Sequence, residues 1–186
     1  VVLDDEGKNL VLRKIAGECE KDLKVFKGNL KKQGYISEVK SVLSEFAQYG
    51  VDFERLDDFM KEVPPESYLH YKLDDIRTIY EKFEEYLSEK YITKEEMLDV
   101  LSDAVPYSDI LKGSVVAMDG FTGFTPVQNR LIGELFSVCE KVMITVTMDG
   151  RENPYVYEHP YQIFALGKQM VTSLMKIAGE KKTEIE

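Results

Sequence analysis

The chain has 186 residues, 44% of them hydrophobic, which is enough to bury a sizeable core in one domain or two intimately packed subdomains; one compact unit is the expectation. Its formal net charge of −10 is uneven, with 16 basic and 24 acidic side chains in residues 1–105 against 8 and 10 in residues 106–186. That balance argues against nonspecific nucleic-acid affinity as the main activity of the isolated chain, because such affinity depends on neutralising phosphates, although it leaves room for local basic strips.

Val1 to Leu3 read as a strand remnant and Asp4-Asp5-Glu6-Gly7 as a turn. From Lys8 to about Gln33 the apolar positions Val11, Ile15, Cys19, Leu23, Phe26 and Leu30 recur every three or four residues, which predicts one long amphipathic helix. Lys14, Lys21, Lys24, Lys31 and Lys32 then fall on the opposite side, either as a solvated face or as a strip that tracks phosphates. A second helix is predicted over 36–49, ended by Gly50, and a shorter one over 52–62, stopped by Pro64-Pro65. Tyr68 to about Glu89 is the most regular helix, with a stripe through Leu69, Leu73, Ile76, Ile79, Tyr80, Phe83, Tyr86 and Leu87. The acidic pairs Asp74-Asp75 and Glu84-Glu85 are expected in solvent. Thr93-Lys94-Glu95-Glu96 matches the capping box, so a fifth helix starts there.

The pattern changes at Ser114 to Gln128, SVVAMDGFTGFTPVQ. Val115 to Met118 form an uncharged, β-branched run expected as a strand buried on both faces of a parallel sheet, with Asp119 at its end. Thr125-Pro126 is a helix start, and Val127, Leu131, Ile132, Leu135 and Phe136 keep helical spacing. Lys141 to Met148, KVMITVTM, returns to a strand pattern, and the order strand, helix, strand predicts a parallel βαβ crossover with a second acid, Asp149, at the same sheet edge. Arg151 to Pro160 is a loop carrying Tyr155, Tyr157 and His159. A last helix is expected from Tyr161 to Gly179, and the tail EKKTEIE is expected to fray.

Among chemical motifs, the glycine-rich phosphate loop ending in Lys-Ser or Lys-Thr is absent. Cys19 and Cys139 lie far apart without a C-x-x-C pair, so no zinc or iron–sulfur site is readable and no metal ligand is assigned. His70 and His159 are also far apart, and Ser108-Asp109 has no nearby histidine to make a triad. No apolar run approaches the ~20 residues of a membrane span. A reduced, cytoplasmic setting is expected. The chain opens on Val1 rather than methionine, as an excised piece of a longer protein or a chain with a trimmed tag would.

MDGFTGFTPVQ resembles the second helicase motif of superfamily-one, UvrD-like motors, D-E-x-Q-D followed by x-x-P-x-Q. It is most similar to the form in the AddB/RexB family of bacterial ATP-dependent helicase–nucleases, in which glycine replaces the catalytic glutamate. The resemblance covers residues 113–178 well and the helical first part more loosely. By position it implies that Asp119 corresponds to the magnesium-coordinating acid, Gly120 replaces the catalytic glutamate, Thr122 and Gly123 replace the glutamine and second acid, and Gln128 matches the last glutamine. No catalytic residue is then expected.

The implied fold is α/β, with a helical subdomain of about five helices (1–112) inserted before a partial parallel βαβ sheet (113–186) of a degenerate P-loop NTPase-like motor domain. The resemblance implies a role in DNA double-strand break repair by recombination, in which the AddB-type chain holds or scans single-stranded DNA and contacts the translocating A subunit. The family's ATP, Mg2+ and iron–sulfur cluster would be held by parts outside this chain, so no cofactor is assigned to it. Candidate DNA contacts are Lys21, Lys24, Lys31, Tyr155 and Tyr157, the tyrosines by base stacking unless the loop packs on the sheet edge. The alternative reading is a non-catalytic α/β protein-interaction module with a vestigial nucleotide-binding sheet.

Overall fold

The computed structural model describes residues 1–30, 32–88 and 91–186, with the side chain of Gln33 also left out of the description. The residues fall into two compact units, Val1–Met97 and Leu98–Glu186, instead of the single unit expected. Among the described residues, no helix is long and apolar enough to cross a membrane.

The first unit holds β1 (Val2–Leu3), α1 (Asp5–Cys19), α2 (Gln33–Tyr49), α3 (Phe53–Glu62), α4 (Tyr68–Leu87), β2 (Ile92–Thr93) and the start of α5 (Lys94–Ala104). Asp4 is not part of a free turn: its carboxylate accepts from the Gly7 N–H and caps α1. β1 pairs parallel with β2, a short strand that helical periodicity does not foretell. Leu12, Ile15, Cys19, Ile79, Phe83 and Leu87 belong to the main core, where the stripes of α1, α2 and α4 meet. Leu56, Val63 and Leu73 form a smaller cluster under α3. Asp52 and Ser67 cap α3 and α4 with their side chains, and Gly50 ends α2 in the left-handed conformation at φ +63°.

The long first helix predicted from the apolar spacing stops at Cys19, and residues 20–30 run through turns. Leu23, Phe26 and Leu30 are buried nonetheless. The reason is Asp75, expected in solvent but only 1% exposed. Its carboxylate accepts from the backbone N–H groups of Lys24 (2.8 Å), Val25 (2.7 Å) and Phe26 (2.8 Å). Three consecutive amides pointing at one anion form a concave nest, which a continuing α-helix cannot offer because it turns those N–H groups along its own axis.

The second unit contains the rest of α5, a 3-10 turn (Val105–Tyr107), β3 (Val115–Met118), α6 (Pro126–Val138), β4 (Lys141–Ile144) and α7 (Ala165–Lys181). β3 and β4 are parallel, with Val115 opposite Lys141 and Met118 opposite Ile144, so the expected parallel strand pair forms around α6. Neither strand is buried on both faces: exposed and half-buried residues alternate, and Val115 is 57% exposed. Val146 to Met148 lie outside any strand, so β4 is half the length of the apolar run. Val127, Ile132, Leu135, Met170 and Ala178 are buried. Gly167 is needed where α7 begins, since a Cβ there would come within 3.1 Å of the Thr147 carbonyl oxygen and 3.2 Å of Val146. The helix starts at Ala165, later than Tyr161, and the tail does not fray as expected. The Thr183 N–H donates to the Ala178 carbonyl at 2.9 Å, its hydroxyl donates to the Phe136 carbonyl at 3.3 Å, and Glu186 pairs with Lys141.

Candidate functional site

The residues singled out by the helicase-like motif lie between β3 and α6. β3 ends at Met118, which leaves Asp119 exposed at the C-terminal edge of the strand, where parallel sheets present their ligand-binding residues. The Thr145 hydroxyl, just beyond β4, donates to Asp119 Oδ1. Sequence reading passes over Thr145, although the register foretells it: Met118 pairs with Ile144, so the two following residues are neighbours. Asp149 does not join them as a strand-end acid, because β4 stops five residues earlier. It binds Arg151 instead, whose hydrogen bonds hold its carboxyl below the ordinary range.

Gly120 has φ +81°, a left-handed conformation that side-chain-bearing residues rarely adopt, and a Cβ there would meet nothing within 4 Å. Conformation, not space, favours glycine at this point. Thr122 and Gly123 are exposed in the connecting segment, while Phe121 and Phe124 contact each other with centroids 5.0 Å apart. Gln128 has a structural job: its side-chain oxygen accepts from the Thr125 N–H at 2.9 Å and its own N–H donates to the Thr125 hydroxyl at 3.3 Å, completing the capping box that starts α6. Its side-chain carbonyl is thereby turned toward the helix N-terminus.

These groups do not by themselves fit a magnesium–nucleotide site. Asp119 is the one acid at the strand end, its neighbour Gly120 has no side chain to orient water, and Gln128 is spent on the helix cap. Among the described residues, no three His, Cys, Asp or Glu side chains gather where they could hold a metal ion.

The candidate DNA contacts are not brought together on one helix. With α1 ending at Cys19, Lys21 and Lys24 lie in the turns that follow, and Lys31 lies outside the described residues. Lys24 binds Asp74 at 2.9 Å and sits 4.9 Å above the Tyr71 ring; that hydrogen bond raises its pKa. Lys14 is 4.0 Å from Glu18 and 4.8 Å from the Tyr86 ring centre. The continuous lysine face expected from the sequence thus dissolves with the helix that carried it. Tyr155 and Tyr157 are exposed, by 58% and 37%, on a loop whose backbone is held by Gln162, which accepts from the Glu158 and His159 N–H groups. Tyr155 also lines a groove beside β4.

A second polar cluster, in the first unit, has no counterpart among the sequence expectations. The Lys8 ammonium, 3% exposed, donates to Glu95 at 2.6 Å and to the Ser44 hydroxyl at 3.3 Å. Burial is the largest single influence on the Glu95 carboxylate and works against it, but the hydrogen bonds from Lys8, the backbone and Ser44, together with the Lys8 charge, outweigh it and hold the pKa down. Glu84 borders the same small cavity but, among the described residues, forms no ion pair; burial, reinforced by the charge of Glu96, pushes its pKa up to about 7. The expectation that Glu84 faces solvent fails because its turn of α4 lies over this cavity, while Glu85, one position on, is exposed. The cluster is a buried ion pair beside a carboxyl that has no ion-pair partner among the described residues.

Comparison with known proteins places these features. Residues 1–186 match the family described as "ADDB, N-terminal". The chain is 40% identical over 187 residues to the B subunit of the ATP-dependent helicase/deoxyribonuclease of Lachnoclostridium phytofermentans, covering 100% of this chain and 16% of that protein. The proteins of the same name from Thermoanaerobacter sp. (33% over 180 residues, 97% of this chain and 15% of that one) and Clostridium acetobutylicum (29% over 188 residues, 99% and 16%) are also similar. The chain thus spans about a sixth of the length of the curated relatives it matches. With a match running from its first residue to its last, this chain belongs to the AddB N-terminal family.

Proposed function

We propose that this chain is a non-hydrolysing part of the B subunit of an ATP-dependent helicase–deoxyribonuclease, with a degenerate motor fold that serves as a scaffold. The observation that supports this reading best is the β3–α6 junction. Asp119 stands where a motor acid would, yet it is engaged by Thr145, and the next position is a glycine in a left-handed conformation. A strand-end acid can hold a metal through water, but turnover also needs a group that orients the attacking water, and Gly120 offers none. The P-loop NTPase-like character of the sheet, the work in recombinational DNA repair, the contact with an A subunit and the grip on single-stranded DNA belong to this proposal for the parent protein. DNA contacts at Lys21, Lys24, Tyr155 and Tyr157 would be local and salt-dependent, given the net charge of −10.

The test is magnesium-dependent phosphate release from ATP by the purified chain and by its Asp119→Ala and Gly120→Glu variants. All three should stay at the buffer blank, because restoring one carboxylate does not restore the groups that place the phosphates. Gly120→Glu should also lose about 1 kcal/mol of stability from its φ of +81°. Turnover by the unmodified chain that disappears in Asp119→Ala would sink the reading.

A further inference from the structure

The cavity of the first unit measures about 20 Å³, room for one water, and is lined by α1, α2, α4 and the corner where β2 runs into α5. Three carboxylates line it, and two of them are committed. Glu95 takes the Lys8 ammonium at 2.6 Å, which also reaches the Ser44 hydroxyl on α2. Glu96 accepts from the Thr93 N–H at 2.6 Å, while its own N–H donates to the Thr93 hydroxyl at 3.3 Å, which closes the capping box that starts α5. Thr93 is 5% exposed and stands opposite Leu3 in the β1–β2 pair, so the Glu96 carboxylate secures a strand end and a helix start together. The third carboxylate, Glu84 of α4, makes no side-chain hydrogen bond or ion pair among the described residues. The remaining titratable groups on the lining leave it so: Lys8 is bound to Glu95, the Tyr80 hydroxyl donates to the Val51 carbonyl at 3.3 Å, and half-buried Lys40 of α2 forms no ion pair among the described residues.

We propose that this cluster is a proton-operated latch on the start of α5: with a proton on Glu84 the Glu96 cap stays closed, and when Glu84 releases that proton to solvent its charge repels the Glu96 carboxylate and opens the cap. Three acids around a space that admits one water, with one ammonium in contact, favour a proton on the acid that lacks a partner. Burial first, and the charge of Glu96 second, push Glu84 up to about 7, so the latch is closed below that pH and loosens above it. Glu96 is the group that yields. Glu84 stands on a helix of 20 residues whose neighbouring side chains Phe83 and Leu87 are buried in the core, which fixes its backbone. Glu95 is held by a salt bridge, whereas the Glu96 side chain is retained by one N–H. The latch lies within the first unit, on the helix through which the chain continues into the second. The inference goes beyond the proposed function and is indifferent to whether ATP is turned over or DNA is held.

Hydrogen exchange on the full-length protein, resolved to single amides and expressed relative to the intrinsic rate at each pH, tests it. Protection of the Thr93 and Glu96 amides should fall about tenfold between about pH 6 and pH 8, while that of Val25 and Phe26, held by Asp75 in the same unit, stays level. Glu84→Gln, which cannot ionise, should make the Thr93 and Glu96 profiles flat at the closed level. Glu96→Gln keeps an oxygen to accept from the Thr93 N–H but carries no charge, and it should flatten them as well. Level protection at Thr93 and Glu96 in the unmodified protein would overturn the proposal, and so would a fall that persists in either variant. A fall shared equally by Val25 and Phe26 would overturn it in favour of unfolding of the whole unit.

Discussion

The two units handle the same task, burying the apolar faces of their elements, with different completeness. In Val1–Met97 the stripes of α1, α2 and α4 converge, and Ile79, Cys19 and Leu12 are at or near zero exposure. In Leu98–Glu186 the helices bury Ile132 and Met170 against their neighbours, but the strands they flank keep Val115 and Met143 exposed and, among the described residues, have no third strand beside them. Helices can satisfy one another because each carries its own backbone hydrogen bonds and needs only a covered stripe. A parallel strand needs two neighbours and two covered faces, and a two-stranded sheet supplies neither in full. The difference teaches that burial in this chain is most complete where helices meet and least complete in the sheet.

The largest test of that contrast is Asp75→Ala. It leaves the N–H groups of Lys24, Val25 and Phe26 without their acceptor in a largely buried setting, at a cost of about 4 kcal/mol in the first unit. Urea denaturation followed by exchange at those amides should show it; a loss below about 1 kcal/mol would mean that the turn holds without the carboxylate. A matched pair of truncations comes next. Ile79→Ala in the closed core should cost about 3 kcal/mol, whereas Val116→Ala in the half-buried sheet should cost about 1 kcal/mol or less. Equal losses would break the comparison between the units.

The smallest effect is a pH signature. Glu84 has a folded pKa of about 7, above the ordinary 4.5, so between those values the folded chain holds a proton that the unfolded chain has released. Stability therefore falls as pH rises through this window, and the cost is complete above pH 7 and absent below about 4.5. Glu84→Gln should stabilise the first unit by about 1 kcal/mol at pH 8, after allowance for partial solvent screening, and by nothing at pH 4. Thermal melts across that range read the difference. A gain independent of pH would assign the effect to packing.

Much of this was legible in the amino-acid sequence because the signals are local. The capping boxes at Thr93 and Thr125, the helix stop at Gly50, the regular stripe of α4 and the strand end at Asp119 each follow from side chains acting within a few residues of themselves. The glycine at position 120 and the motif around it also marked the family without any coordinates. The end of α1, the loss of the lysine face, the burial of Asp75, the raised pKa of Glu84, the short β4 and the anchored tail were settled by tertiary structure. In each case the deciding partner is remote in sequence: Asp75 for residues 24–26, Glu96 and the cavity lining for Glu84, Phe136 and Lys141 for the tail. Helical spacing in residues 20–30 shows which side chains will be buried, since Leu23, Phe26 and Leu30 are buried in turns as they would have been in a helix. It does not show where their N–H groups go, and a buried carboxylate fifty residues away took them.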